Sequence, residues 1–204
     1  MEIPHRFHCP LAFAVALALG TIILAALRTN SPLNLRPKHT MTEPSLLANL
    51  KLHIAQSTVL PHSISVSVTN THPSSPVTIL KWNSPLDSAA LGLGLVRITP
   101  ADTTEPFHID AIKIQRLMPP KAESLVTLTP GDSATSTVEL REPIVPQGLF
   151  DAGPAKVTMK GRWMAVWPEM TKEDLLLDTK RLQSVGAGVG SLIGDWESEC
   201  IEVG

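Results

Sequence analysis

Between Ser63 and Trp82 the chain reads SISVSVTNTHPSSPVTILKW. Ile64, Val66 and Val68 alternate with Ser65, Ser67 and Thr69, the period of a strand with one buried face. From Asn70 to Pro76 turn formers replace that alternation. Pro73 and Pro76 lack a ladder donor, and Asn70 tolerates unusual backbone angles. A β-branched run, Val77 to Leu80, follows, so the two runs predict a hairpin that seeds an antiparallel sheet. Further strands are expected at Asn49–Ala55, Leu93–Thr99, Ile112–Arg116, Leu125–Leu128, Ala134–Leu140, Lys156–Val166 and Glu197–Val203, beside Ser63–Thr69 and Val77–Trp82. Pro119-Pro120, Pro130-Gly131-Asp132 and Asp151-Ala152-Gly153-Pro154 separate them. Many short strands with Pro/Gly turns predict an all-β sandwich or barrel rather than alternating β and α units.

One helix is expected near the C-terminus, over about 172–184. Thr171 and Asp174 have the spacing of a capping box, and Leu175, Leu176, Leu177 and Leu182 supply an apolar side. Gly186, Gly188 and Gly190 then end it. Gly186-Ala187-Gly188-Val189-Gly190 follows a helix instead of opening one and lacks both phosphate-loop spacings, so it reads as a connector.

Ahead of the strands the pattern changes. Leu11 to Leu27, LAFAVALALGTIILAAL, is uncharged throughout and is expected to be a hydrophobic helix. A span needs roughly 17 apolar residues or more, whereas a signal-peptide core has about 7–15. The run sits where the two overlap. Ala18–Gly20 would place a cut inside it and Leu24 is bulky, which favours an uncleaved membrane anchor over a cleaved signal; a buried core helix is a third reading. Arg28, Arg36 and Lys38 follow the run and Arg6 precedes it, so charge does not settle its orientation. The chain therefore divides into a tail (1–10), an anchor or signal (11–27), a Pro/Asn/Ser/Thr-rich linker (28–44) and a β-domain (45–204).

Composition narrows the function. The net charge is -2, with no cluster of Lys and Arg, which removes a nucleic-acid partner from consideration. Aromatics make up 4% with no Tyr, so the core must rest on Val, Ile, Leu and Ala. The two Cys, Cys9 and Cys200, flank the apolar run, so no disulfide within the domain is expected. A domain of this size does not need one.

Candidate chemistry is sparse, and no catalytic, cofactor-binding or metal-ligating residue is assigned. His5, His8 and Cys9 form the one ligand-like cluster, but structural zinc wants four ligands; Cys9 beside a span is alternatively an acylation site. His53, His62, His72 and His108 have no metal spacing. No Gly-x-Ser-x-Gly elbow anchors a Ser-His-Asp assembly. Trp82, Trp163, Trp167 and Trp196 offer aromatic platforms, with packing as the default, and Lys160 and Arg162 are placed to stack on the rings of Trp163 and Trp167. Glu197, Glu199 and Glu202 read as a solvated acidic edge.

Five stretches taken together carry a resemblance: VTNTHPSSPVTILKWNSPLD (Val68–Asp87), IKIQRLMPP (Ile112–Pro120), LTPGDSATSTVEL (Leu128–Leu140), VTMKGRWMAVW (Val157–Trp167) and GDWESECIEV (Gly194–Val203). They resemble a group of largely uncharacterised small fungal secretory-pathway proteins, similar in turn to the N-terminal β-sandwich propeptide region of deuterolysin-type zinc endopeptidases. The resemblance runs from about Leu46 to Val203 and implies an immunoglobulin-like antiparallel β-sandwich. It does not bring catalysis with it, because the family's His-Glu-x-x-His helix is absent. The implied function is non-enzymatic: a membrane-anchored or secreted fungal protein acting by protein–protein contact, with a peptidase as a specific partner toward which it would be chaperone- or inhibitor-like. The competing reading is a membrane-bound accessory protein or unusual enzyme of a fungal biosynthetic pathway. It rests on the span and on His5-x-x-His8-Cys9, which resembles the HxxHC pattern of fungal ustiloxin-type oxidases, although those carry two copies after their span.

Overall fold

A computed structural model describes residues 46–183, 185–186 and 190–204. Leu11–Leu27 and the cluster of His5, His8 and Cys9 lie outside them. After a short 3-10 turn at Leu46–Asn49 come β1 (Leu50–Thr58), β2 (Ser63–Asn70), β3 (Val77–Leu80), β4 (Val96–Thr99), β5 (Leu125–Leu128), β6 (Ser133–Glu139) and β7 (Ala155–Pro168). The helix α1 (Lys172–Leu177), β8 (Leu192–Glu197) and β9 (Ile201–Val203) complete the order. Every pairing is antiparallel. One sheet has the order β1-β2-β6; in the other, β7 is central, with β8 and β9 along one edge and β4 and β3 sharing the opposite edge, β5 lying beyond β3. The all-β sandwich expected from the alternation is the fold found.

The main core fills the space between the sheets. Ile54, Ile64, Val66 and Val68 from one sheet meet Ile79, Val96, Ile98, Val157, Met159 and Trp163 from the other. The partners of the alternation, Ser65, Ser67 and Thr69, stand opposite Thr137, Thr135 and Ser133 on the outer face, where they are half-buried or exposed. A second core lies on the outer side of the larger sheet. There Trp167 packs with Leu80, Leu125, Ala165, Leu175 and Leu182 under α1. A β-bulge makes both cores possible from one strand. Trp163 pairs with Gly194 and Val166 with Leu192, so β7 carries one residue more than β8 in that interval. The extra residue switches the alternation, and Trp163 and Val166 face the main core while Trp167 faces the second. On the same strand Gly161 makes room for Trp196: a Cβ there would lie 2.6 Å from the ring.

Several expectations are corrected. β2 and β3 do not form a hairpin: β2 pairs with β1 and β6, while β3 pairs with β5 and β7 in the other sheet. Asn70–Pro76 is thus a crossing between sheets. The strand expected from Leu93 starts at Val96, because residues 82–94 form a run of turns closed by Gly94 in the left-handed region (φ 70°). The last strand is two, β8 and β9, broken where Ser198 replaces a ladder residue: its N–H donates to Met159 O (2.8 Å) and its Oγ accepts from Met159 N–H (2.9 Å). The helix has its capping box, Thr171 and Asp174 each accepting from the other's backbone N–H. It ends at Leu177, followed by a 3-10 turn at Thr179–Leu182. Leu175 and Leu182 are buried, but Leu177 is almost wholly exposed, since so short an element buries only one stripe.

The expected strand Ile112–Arg116 forms no ladder. The chain runs without turn or bend from Pro106 to Leu117, antiparallel to Asp87–Ile98 and outside it. Phe107 N–H donates to Ile98 O (2.7 Å) and Ile112 N–H to Gly92 O (2.9 Å). The coiled turns of 82–94 offer no regular row of partners, so the pairing stops there.

The opposite edge is closed by side chains. Gln56 Nε2 donates to Gly204 O (2.8 Å), and Ile54 N–H donates to Glu199 Oε1 (2.9 Å), which also meets His53 Nδ1 at 2.7 Å. Burial works against the Glu199 charge, yet the Ile54 and Glu199 backbone N–H groups and His53 together hold its carboxyl below the ordinary value. A depressed carboxylate contributes stability above its unfolded pKa and loses it as pH falls through the folded one. Glu199→Gln is therefore expected to be the less stable protein at pH 7, by under about 1 kcal/mol for a half-exposed pair. The gap should narrow as pH falls from neutral through the acidic range in which Glu199 takes up its proton. Urea midpoints across that range test this; a constant gap at all pH values would refute it.

Candidate functional site

The loop after β3 builds the site from Trp82 to Ala89. Asn83 takes a left-handed conformation (φ 54°), which asparagine tolerates better than most residues. This turns the chain so that Asp87 sits beneath it. Asp87 accepts from Asn83 N–H (2.8 Å) and Ala89 N–H (3.0 Å). Its third partner comes from the straight outer segment: Arg116 Nη2 lies 2.7 Å from Asp87 Oδ2, with side-chain exposures of 28% and 3% respectively. Burying a carboxylate is costly unless it is paired and hydrogen-bonded, and three donors meet that condition.

Arg116 in turn lies over Trp82, its Cζ 5.8 Å from the ring, within range of a cation–π contact. Between them opens a cleft of about 380 Å³, lined by Trp82, Ile114, Arg116, Met118, Met164 and Gln183. An indole face, thioethers and aliphatic carbons supply adaptable apolar area, and the guanidinium donors not turned to Asp87 supply polarity. Asp87 itself is fully occupied by its donors.

The four histidines among the described residues are not brought together. His53 meets Glu199; His62 stacks on Phe150, centroids 4.0 Å apart; His72 Nδ1 accepts from Ser75 N–H (2.9 Å); and His108 lies by Asp110 on the surface. Among the described residues no three His, Cys, Asp or Glu side chains are grouped to hold a metal. Cys200 is a free, exposed thiol. Trp163, Trp167 and Trp196 are buried, as packing predicts, while Trp82 is half-buried. Among the described residues the cation over a Trp ring is Arg116. Arg162, expected over a ring, instead pairs with Asp195 at 3.0 Å, and Lys160 stands opposite Glu197 across the strands. The Glu197–Glu202 edge is thereby charge-matched and, at Glu199, tied to β1.

The Asp87–Arg116 pair was not anticipated from the sequence. Its signal is parity: Arg116 shares the face of Ile112 and Ile114 in IKIQRL, and a cation on an inward face calls for a buried anion.

Residues 49–204 match the family model for an immunoglobulin-like domain. The chain is also similar to an "Uncharacterized secreted protein" of Arthroderma benhamiae, 31% identical over 144 residues, which cover 70% of this chain and 69% of the relative. With two sheets packed face to face around one core, and with that match spanning the whole sandwich, the chain belongs to the immunoglobulin-like domain family.

Proposed function

We propose that this chain is a secreted fungal protein whose immunoglobulin-like domain works by protein–protein contact, not by catalysis. One observation carries the reading. Three large apolar side chains are exposed within seven residues: Ile112 (56% exposed) and Leu117 (72%) on the straight outer segment, and just after it Met118 (49%), which lines the Trp82 cleft. Scattered exposed apolar residues are ordinary on a soluble surface, whereas their concentration beside a half-buried Trp and a held Arg has the composition of an interface centre. Secretion is supported by the name of the Arthroderma relative, and it requires Leu11–Leu27 to be a cleaved signal in place of the anchor its length favours; recovery of a shortened chain in the medium is the expected result of fractionation, and a full-length, carbonate-resistant membrane form is the opposing one.

The specific partner we propose is a metallopeptidase of deuterolysin type, toward which the domain acts as a chaperone or inhibitor. The support is the resemblance of Val68–Asp87, Ile112–Pro120, Leu128–Leu140, Val157–Trp167 and Gly194–Val203 to the propeptide region of those enzymes. Mixing the purified chain with such a peptidase is expected to reduce its initial rate at least about tenfold at saturation, equivalent to about 1.4 kcal/mol or more. Leu117→Asp should weaken the effect. If the rate is unchanged at large excess and co-expression does not alter the yield of folded peptidase, this partner is wrong.

A further inference from the structure

We propose that the outer segment Ala111–Leu117 is a docking edge that receives an extended strand from a partner protein, one in which acidic and apolar residues alternate. The proposal rests on the contact reading above and names the mode and chemistry of that contact. Three observations carry it.

The first is unfilled backbone bonding. From His108 to Met118, Ile112 N–H is the one backbone group with a backbone partner among the described residues. In an unbent chain successive N–H groups point to opposite sides. Ile112 N–H points inward to Gly92, so those of Lys113, Gln115 and Leu117, which follow it with the opposite parity, point outward. A row of unpaired donors and acceptors on a straight segment is the template used in strand addition.

The second is the boundary. Pro106 ends the segment on one side and Pro119-Pro120 on the other. Proline cannot continue a ladder, so the open edge has a defined length instead of running on into the sheet. The third is the division of chemistry between the faces. Ile114, Arg116 and Met118 line the Trp82 cleft, and Ile112 packs at Gly92, a Cβ on which would lie 3.2 Å from Ile112 Cδ1. The opposite face carries Lys113, an exposed cation with no ion pair among the described residues. Asp110, the acid on the same segment, already meets His108 at 3.1 Å. An incoming strand therefore places apolar side chains beside Ile114 and Met118 and acidic ones beside Lys113, where charge complementarity fixes its register.

The probe is a synthetic peptide of about ten residues alternating glutamate and valine, offered to the full secreted chain, with a lysine–valine peptide as its charge-reversed counterpart. The expected result is protection of the Lys113, Gln115 and Leu117 amides from hydrogen exchange. Affinity for the glutamate peptide should be at least about tenfold greater than for the lysine peptide, a preference that falls as salt rises. N-methylation of alternate peptide residues removes the ladder without altering the protein and should abolish binding. Equal affinity for the two peptides, undiminished binding after N-methylation, or protection confined to other strands would each overturn the proposal. So would a dimer protecting these same amides without peptide, which would assign the edge to a second copy of the chain. The peptide test does not involve a peptidase. Its failure with inhibition intact removes strand addition alone; its success without inhibition removes only the named peptidase.

Discussion

Replacing Trp167 with alanine is expected to destabilise the protein by about 3–5 kcal/mol, the range for truncating a large buried aromatic side chain. Trp167 is fully buried and is the centre of the second core, touching strands β3, β5 and β7 as well as α1 and the turn after it. A domain of this size loses about 2–4 °C per kcal/mol, so the melting temperature should fall by roughly 6–20 °C. The loss should also be uneven. The six-residue α1 is too short to persist without tertiary support, capping box notwithstanding. Amide protection at Leu175–Leu182 should therefore disappear before that of β2 and β7. Among the described residues the indole N–H of Trp167 has no hydrogen-bond partner, so part of the residue's apolar contribution is offset by a buried donor they leave unanswered. Trp167→Phe removes that donor along with only part of the volume and should cost clearly less than Trp167→Ala. If both variants cost the same, the packing account of Trp167 fails.

The parts of this fold that were legible in the sequence are those whose causes are local. In β2 the alternation of Ile64, Val66 and Val68 with Ser65, Ser67 and Thr69 is readable because one face meets the core and the other meets water. The Thr171–Asp174 box is readable because both partners lie within one turn. Where a non-local choice decides, the sequence is silent. The bulge between Trp163 and Val166 is invisible in the residues 157–167, yet it assigns Trp163 and Trp167 to different cores. The strand-like IKIQR has the right alternation, but the turns at 82–94 give it no ladder partner. In the candidate site Trp82 was visible as an aromatic platform, whereas its neighbour Arg116 became interpretable only once Asp87 was known to lie beneath it. Asp87 and Arg116 are far apart in the chain, and no periodicity links them.

The same distinction between local and distant causes explains the misplaced hairpin, and it makes Asn70 the second residue with a large expected effect. Asn70 ends β2 and is buried. Its Nδ2 donates to Ser75 O and to Leu128 O, both at 3.0 Å, and its Oδ1 accepts from His72 N–H at 3.0 Å. Its backbone N–H and C=O bond to Asp132 O (3.0 Å) and Gly131 N–H (2.8 Å). One side chain thus shapes the crossing loop and ties the end of β2 to β5 in the other sheet, work that a hairpin turn would not require. Asn70→Ala removes three hydrogen bonds made by a buried side chain, two to carbonyls and one from an N–H, at a cost of about 2–4 kcal/mol. Asn70→Asp is the sharper test. At neutral pH a carboxylate would face the two carbonyls that the amide served as donor, so this variant should be at least as unstable as Asn70→Ala. Burial and those carbonyls raise the pKa of such an acid in the folded state, and protonation restores one donor. A raised folded pKa means stability regained as pH falls, so the deficit of Asn70→Asp relative to the parent should shrink between about pH 7 and pH 4, whereas that of Asn70→Ala should not. Urea midpoints for the three proteins at both pH values decide it. Parallel shifts in the two variants would show that the side-chain amide does not hold the sheets together, and that the crossing is set by the prolines at 73 and 76 instead.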